Sequence, residues 1–383
     1  MSAQSIVSPD DQRVTFIELF FDLVFVFSVT QVVGLLHDGL TWNAAGEAVL
    51  VFWLVWWAWT QLTWALNAAD TTHHWVELGT LLATAVAFFL GVAVPDAFHG
   101  RALWFAVPYV VVRVLGLTIY GYVAQAADVS QHAAVRTFTL TSIGGLAAVL
   151  VGAFLGGSTQ YWLWGMAILL DIIAAAVGGQ QEGWNLHPEH FAERHGLFVI
   201  IALGESLIVA AGGVADAEAA WTGELLAVAI LAVATTCALW WTYFTRCKPA
   251  LDHALESCHG AVQSTMARDV FSLAHFPMLC GVIAYAYAVE EAIAHPGEPL
   301  PFAARLAMAA GLALFVGGMV PAMWRAVHRP LVPRLLLTAG LVAGVLSLAD
   351  VRPVTTLAIG FAGVAAVAIF EQRANAPVAV LRH

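Results

Sequence analysis

Charge is what this sequence has least of. Asp, Glu, Lys and Arg make up 11% of its 383 residues, where soluble domains carry about 25%. A globule of this size could not cover its core with so few charges. A soluble enzyme, a nucleic-acid binder and a disordered chain are excluded on that ground, and the formal charge of −11 also argues against a phosphate-backbone partner. The cysteines (Cys237, Cys247, Cys258 and Cys280) are too few for a disulfide framework. Met1 to Arg13 lacks the basic region and small-residue cleavage site of a secretory signal, so the first hydrophobic run is expected to be retained. There is no Gly-rich phosphate loop, no Gly-x-Ser-x-Gly and no His-Glu-x-x-His, so no common enzyme class is indicated and no cofactor is expected.

What is present is apolar sequence, 61% of the chain. On the scale of about 20 apolar residues per crossing, it divides into twelve candidate spans. They cover residues 14–37, 44–67, 75–95, 102–123, 134–156, 161–178, 194–214, 221–243, 268–292, 302–325, 334–349 and 353–371. The last two are short, with Asp350 and Arg352 between them, so eleven spans is the alternative count. The fold expected is an all-α polytopic membrane protein. Arg13, Arg136, Arg194, Arg246, Lys248, Arg268, Arg325, Arg329, Arg334, Arg373 and Arg382 fall on the face of the N-terminus. Arg101, Arg305 and Arg352 fall on the other, and Arg113 lies inside a span. By the positive-inside rule both termini are cytoplasmic. Trp42, Trp104, Trp162, Trp164 and Trp221 at outer ends, and Trp75, Trp184 and Trp324 near inner ends, read as aromatic belts.

Trp56-Trp57-Ala58-Trp59 in the second span is echoed by Trp240-Trp241-Thr242-Tyr243 in the eighth. Asp22 is echoed by Glu205, Glu77 by Asp269 and Arg136 by Arg334. The order predicts two six-helix halves, 1–185 and 186–383, of parallel topology within one membrane domain. Gly152-x-x-x-Gly156 and Gly340-x-x-x-Gly344 read as close helix packing.

Ionisable groups inside spans are costly and usually face a bundle interior or a watery path. Six qualify: Glu18, Asp22, Arg113, Asp171, Glu205 and His275. Glu18 and Asp22 are one turn apart and share a face. Arg113 with Asp171 or Glu205 is the expected buried ion pair, which in the bland reading only specifies packing. Trp53, Trp57, Thr60, Trp64 and Asn67 form one stripe of the second span, closed at its cytoplasmic end by Asn67 and Asp70, and such a stripe either lines a cavity or packs. Pro277 breaks the ninth span beside His275. His187, Glu189, His190, Glu193 and His195 crowd one loop, but no ligand set of fixed geometry emerges, and metal is not expected.

The run Val14-Thr15-Phe16-Ile17-Glu18-Leu19-Phe20-Phe21-Asp22-Leu23-Val24-Phe25-Val26 through Thr30-Gln31 resembles the opening of the bacterial low temperature requirement A (LtrA) family. So do His190-Phe191-Ala192-Glu193-Arg194-His195-Gly196-Leu197-Phe198, the segment Ile200 to Ser206, and Arg268-Asp269 with His275-Phe276-Pro277-Met278. The resemblance spans nearly the whole chain and implies a multi-pass protein of the bacterial inner membrane. It implies little mechanism, since the family is named for a growth phenotype. A fainter likeness, of Arg13 and Phe21-Asp22 to the first helix of potassium channels built from six-helix repeats, lacks the serine of that motif and extends to architecture. The leading expectation is a small-ion transporter or channel for protons or monovalent cations. The alternatives are a binder of lipid, quinone or another apolar ligand, and a membrane-embedded enzyme using Glu and His as acid and base. Membrane lipid is the expected surround, and a homodimer is compatible with the sequence.

Overall fold

The computed structural model describes residues 5–36, 39–127, 129–178, 184–216, 222–328 and 331–374. Twelve helices fill them: α1 Phe16–Gly34, α2 Trp42–Ala68, α3 His74–Ala93, α4 Ala102–Ala126, α5 Val129–Leu155 and α6 Gly157–Gly178, then α7 Pro188–Asp216, α8 Gly223–Glu256, α9 Gly260–Ala294, α10 Phe302–Val327, α11 Val332–Ser347 and α12 Pro353–Ala374. Eleven are long and apolar enough to cross a membrane, and α11, with 16 residues, is the shorter one. The helices α8 and α9 each contain a π-helical stretch, Tyr243–Cys247 and Ala267–Leu273.

Contacts group the chain into two compact units, Met1–Ile201 with Asp252–Phe276 and Ala202–Leu251 with Pro277–His383. In the first, α2 packs on α1, α4 and α6, α3 packs on α1 and α4, and α5 joins α4 to α6. The second helix is the buried centre. It starts where the Thr41 hydroxyl accepts from Ala44 N (3.1 Å) and ends as Ala69 turns extended. There the N-terminal segment is strapped to it, by Ser8 N to Ala68 O (3.0 Å), Asp70 N to Ile6 O (2.9 Å) and Gln12 Nε2 to Leu66 O (3.1 Å). The first helix opens on a capping box, Thr15 N donating to Glu18 Oε2 at 3.0 Å. Leu81, Leu82, Phe88 and Phe89 of α3 and Leu169 and Ile173 of α6 are exposed, as a lipid-facing surface requires.

In the second unit α8 packs on α10 and α12, and α10, α11 and α12 pack on one another. At Gly281 of α9 and Gly311 of α10 the backbones touch, and a Cβ built on Gly281 would lie 2.6 Å from Gly311 O. Two arginines read from sequence as flanking charges are buried here instead. Arg305 Nη1 donates to Leu348 O (2.7 Å), capping the end of α11, and Arg334 pairs with Glu371 (2.8 Å) while its Nε donates to Val316 O (2.8 Å). Trp42, Trp75, Trp104, Trp162 and Trp324 are exposed near helix ends. Trp164 is fully buried, its Nε1 donating to Val149 O (3.0 Å), and is no part of a belt. Trp184 is half-buried and donates to Gly178 O (2.9 Å). Trp221 lies outside the described residues.

Candidate functional site

Two i, i+4 pairs meet inside the first unit. Glu18 and Asp22 lie one turn apart on α1, and His190 and Arg194 one turn apart on α7. Arg194 Nη1 donates to Glu18 Oε1 (3.3 Å), its Nε reaches Asp22 Oδ2 (3.4 Å) and its Nη2 pairs with Asp22 Oδ1. His190 Nε2 lies 3.1 Å from Glu18 Oε1, and Trp59 Nε1 donates to Asp22 Oδ1 (2.7 Å). The guanidinium sits 5.8 Å from the centres of both the Phe21 and Trp59 rings. Glu18, Asp22, Trp59 and Arg194 have no exposed surface at all.

The protonation of His190 follows from its neighbours. Asn67 Oδ1 accepts from His187 N (2.8 Å), and Asn67 Nδ2 donates to His187 O (3.0 Å). That pair of hydrogen bonds to one backbone residue fixes the amide orientation. The same Nδ2 lies 2.9 Å from His190 Nδ1, so Nδ1 must accept. The remaining proton is then on Nε2, directed at Glu18, and the imidazole is neutral.

A second ion pair lies between α4 and α6. Arg113 Nη2 meets Asp171 Oδ1 at 3.0 Å and Nη1 meets Oδ2 at 3.3 Å. Arg113 Nη1 also donates to the Tyr109 hydroxyl (2.5 Å) and Nε to Gln61 Oε1 (2.5 Å), while Gln61 Nε2 returns to Arg113 O (3.2 Å). Of the two partners open to Arg113 in the sequence, the one it meets is Asp171.

Glu205 is half-buried on the part of α7 that belongs to the second unit. His275 is fully buried and serves the π stretch of α9, its Nδ1 lying 2.9 Å from Val270 O, with its ring stacked on Phe271. Trp56 Nε1 likewise takes Ser272 O (2.7 Å). The side chains thus bond carbonyls along the π turn. Trp53 stacks on Trp57 and meets Phe276 edge-on. Trp57 and Trp64 border a small cavity. Asn67 is committed to His187 and His190, and Asp70 to Thr72 (2.9 Å to its N). Among the described residues no group of three or more His, Cys, Asp or Glu could hold a metal. Arg194, expected from the sequence to flank a span on the cytoplasmic face, is instead the buried central cation of this cluster. The signal for it was the spacing His190-x-x-x-Arg194, which matches Glu18-x-x-x-Asp22.

The aqueous end of this network is His187, whose Nε2 lies 2.6 Å from Ser8 Oγ. Burial, and then the nearby His190, hold His187 below the usual histidine range, against a smaller upward pull from Asp10. A histidine whose folded value is depressed favours folding at high pH and opposes it as pH falls past the unfolded value of 6.5. The protection of the Ser8 and Asp70 amides against hydrogen exchange, corrected for intrinsic rate, should therefore fall below that pH. Protection that is flat from neutral to mildly acid pH would remove His187 as the cause.

The sequence profile described as bacterial low temperature requirement A protein (LtrA) matches residues 13–369. A protein of Rhizobium meliloti (strain 1021), described as uncharacterized, is 31% identical over 340 residues, which cover 82% of this chain and 77% of that one. No solved structure matches. The match runs through all three stretches that hold the buried acids, Arg194 and the π turn of α9, and the chain belongs to the bacterial LtrA family, as a multi-pass membrane protein.

Proposed function

We propose that this chain is a proton-linked small-ion transporter or channel whose proton site is the Glu18–Asp22–Arg194 cluster. One observation carries the reading. Two carboxyls share one guanidinium in a site without exposed surface, and the imidazole beside them is held neutral by Asn67. Neutrality in such an interior requires one further proton. Glu18 accepts four hydrogen bonds, two of them from Thr15 N and Oγ1 at 3.0 and 2.9 Å. Asp22 Oδ2 has only the long contact of 3.4 Å to Arg194, which makes it the atom to protonate. A removable proton held on spanning helices is what a proton-coupled carrier needs.

The proposal includes the orientation with both termini cytoplasmic, and parallel six-helix halves. Four helix pairs of the first unit recur six helices later: α2 with α4 and with α6, and α4 with α5 and α5 with α6, match α8 with α10 and with α12, and α10 with α11 and α11 with α12. That recurrence supports a repeat.

Asp22→Asn leaves Glu18 and Arg194 as a one-to-one pair, so it should fold. Reconstituted into liposomes with an internal pH dye, wild type should carry protons or a monovalent cation under a pH gradient, and Asp22→Asn should abolish the flux. Infrared difference spectra should show a protonated-carboxyl band that Asp22→Asn removes. Wild type with neither flux nor band would end the transport reading.

A further inference from the structure

A cavity in the first unit opens between α2, α4, α5, α6 and α9. Trp64, Trp184 and Arg268 border it where side chains are half-buried, and Thr60, Gln61 and Tyr120 border it where they are buried. The cavity has a volume of about 40 Å³, enough for a few water molecules at about 10–15 Å³ each. That space is too small for a quinone or a lipid tail.

The lining also has no use for an ion of either sign. Arg268 Nε and Nη2 both donate to Asp269 Oδ1 (2.8 and 2.6 Å), and Arg113, behind Gln61, is matched by Asp171. What the wall offers is hydroxyl groups. Thr60 Oγ1 is buried without a hydrogen-bond partner among the described residues. The Tyr120 hydroxyl, on a side chain that is 1% exposed, has none either. Buried hydroxyls in native proteins find partners, and each of these both donates and accepts.

We propose that this cavity is a water site, in which a few ordered molecules bridge Tyr120 Oη and Thr60 Oγ1 and end on Gln61. Gln61 Oε1 takes Arg113 Nε at 2.5 Å, so the water stops one side chain short of the Arg113–Asp171 pair. The π stretch Ala267–Leu273 places both Arg268 and Ser272 on the cavity, Ser272 Oγ accepting from Trp64 Nε1 (3.0 Å).

Hydroxyl-radical footprinting tests the site directly, because the probe forms from water in place. Tyr109 and Tyr120 share α4 and are each 1% exposed, but only Tyr120 borders the cavity. In protein reconstituted in lipid, Tyr120 should gain oxygen several-fold faster than Tyr109, and Trp57 several-fold faster than Trp59. Ala175→Leu, which fills the cavity, should bring Tyr120 down to the rate of Tyr109. Equal rates at the two tyrosines in wild type would make the cavity dry and overturn the proposal. Fast labelling of Tyr120 in a protein without flux would keep the water site and remove the transport reading.

Discussion

Arg194→Ala should be the most damaging single substitution in the first unit, costing about 3–5 kcal/mol, the range for removing one partner of a buried ion pair. The cluster holds two carboxyls and one guanidinium, none with exposed surface. Without Arg194, Glu18 keeps Thr15 and His190 as donors and Asp22 keeps Trp59. With Asp22 protonated, the Glu18 carboxylate is left buried with no cation. Asp22→Asn, by contrast, leaves one charge of each sign, and should cost far less. Glu18→Gln, Asp22→Asn and Arg194→Met together should recover much of the loss, because no buried charge remains to be paired. Thermal unfolding in detergent at fixed pH measures all of these. If Arg194→Ala melts no lower than Asp22→Asn, the charge count is wrong and the cluster is not the proton site.

The second large effect belongs to the second unit and owes nothing to charge. Gly281→Val puts a Cβ 2.6 Å from Gly311 O and 2.7 Å from Phe315 N. Both are backbone atoms, so relief requires the two helices to part. Overpacking of a well-packed core costs about 1–3 kcal/mol, and more where nothing yields. Gly311→Val should fail alike, since its Cβ would meet Tyr285 N at 2.7 Å. Gly340→Val is the control, as no atom lies within 4 Å of its Cβ position. Yield of monodisperse protein after extraction should drop sharply for the first two and stay near wild type for the third. A folded Gly281→Val protein of wild-type melting temperature would contradict the close crossing.

These glycines show where sequence reasoning stopped. The Gly-x-x-x-Gly spacing points to Gly152 with Gly156 and to Gly340 with Gly344. One glycine of each pair does make a close contact, Gly152 on Trp164 (2.9 Å from its Cδ1) and Gly344 on Ile359 (3.1 Å), while Gly156 and Gly340 face open space. Gly281 and Gly311, where backbones meet, have no glycine four residues away. Spacing reports which residues share a face of one helix, and the crossing point depends on the partner helix. The helices themselves were legible because long apolar runs leave little choice of structure in lipid. The acids and Arg113 were legible because a charge inside such a run needs a reason. Arg194 was not, because flanking charges are counted by distance from the end of a span. The seventh helix begins at Pro188, a residue suited to a first helical turn, and so reaches Arg194 well inside the fold. Arg305 and Arg334 escaped for the same reason. The sequence offers His190 as a metal ligand or an acid–base group and not as the neighbour of Asn67, which is distant in sequence.

The short eleventh helix has a consequence for the membrane. At about 1.5 Å per residue, its 16 residues reach about 24 Å, against a hydrocarbon thickness of about 30 Å. Its last carbonyls would end inside the oily layer with no water to accept from. Arg305 takes that role, donating to Leu346 O and Leu348 O. The guanidinium thus carries a polar surface inward to meet the helix, and the bilayer beside α11 need not stretch to its usual depth. Acyl-chain length around this edge becomes a variable the fold responds to, with thinner bilayers matching it better than thick ones.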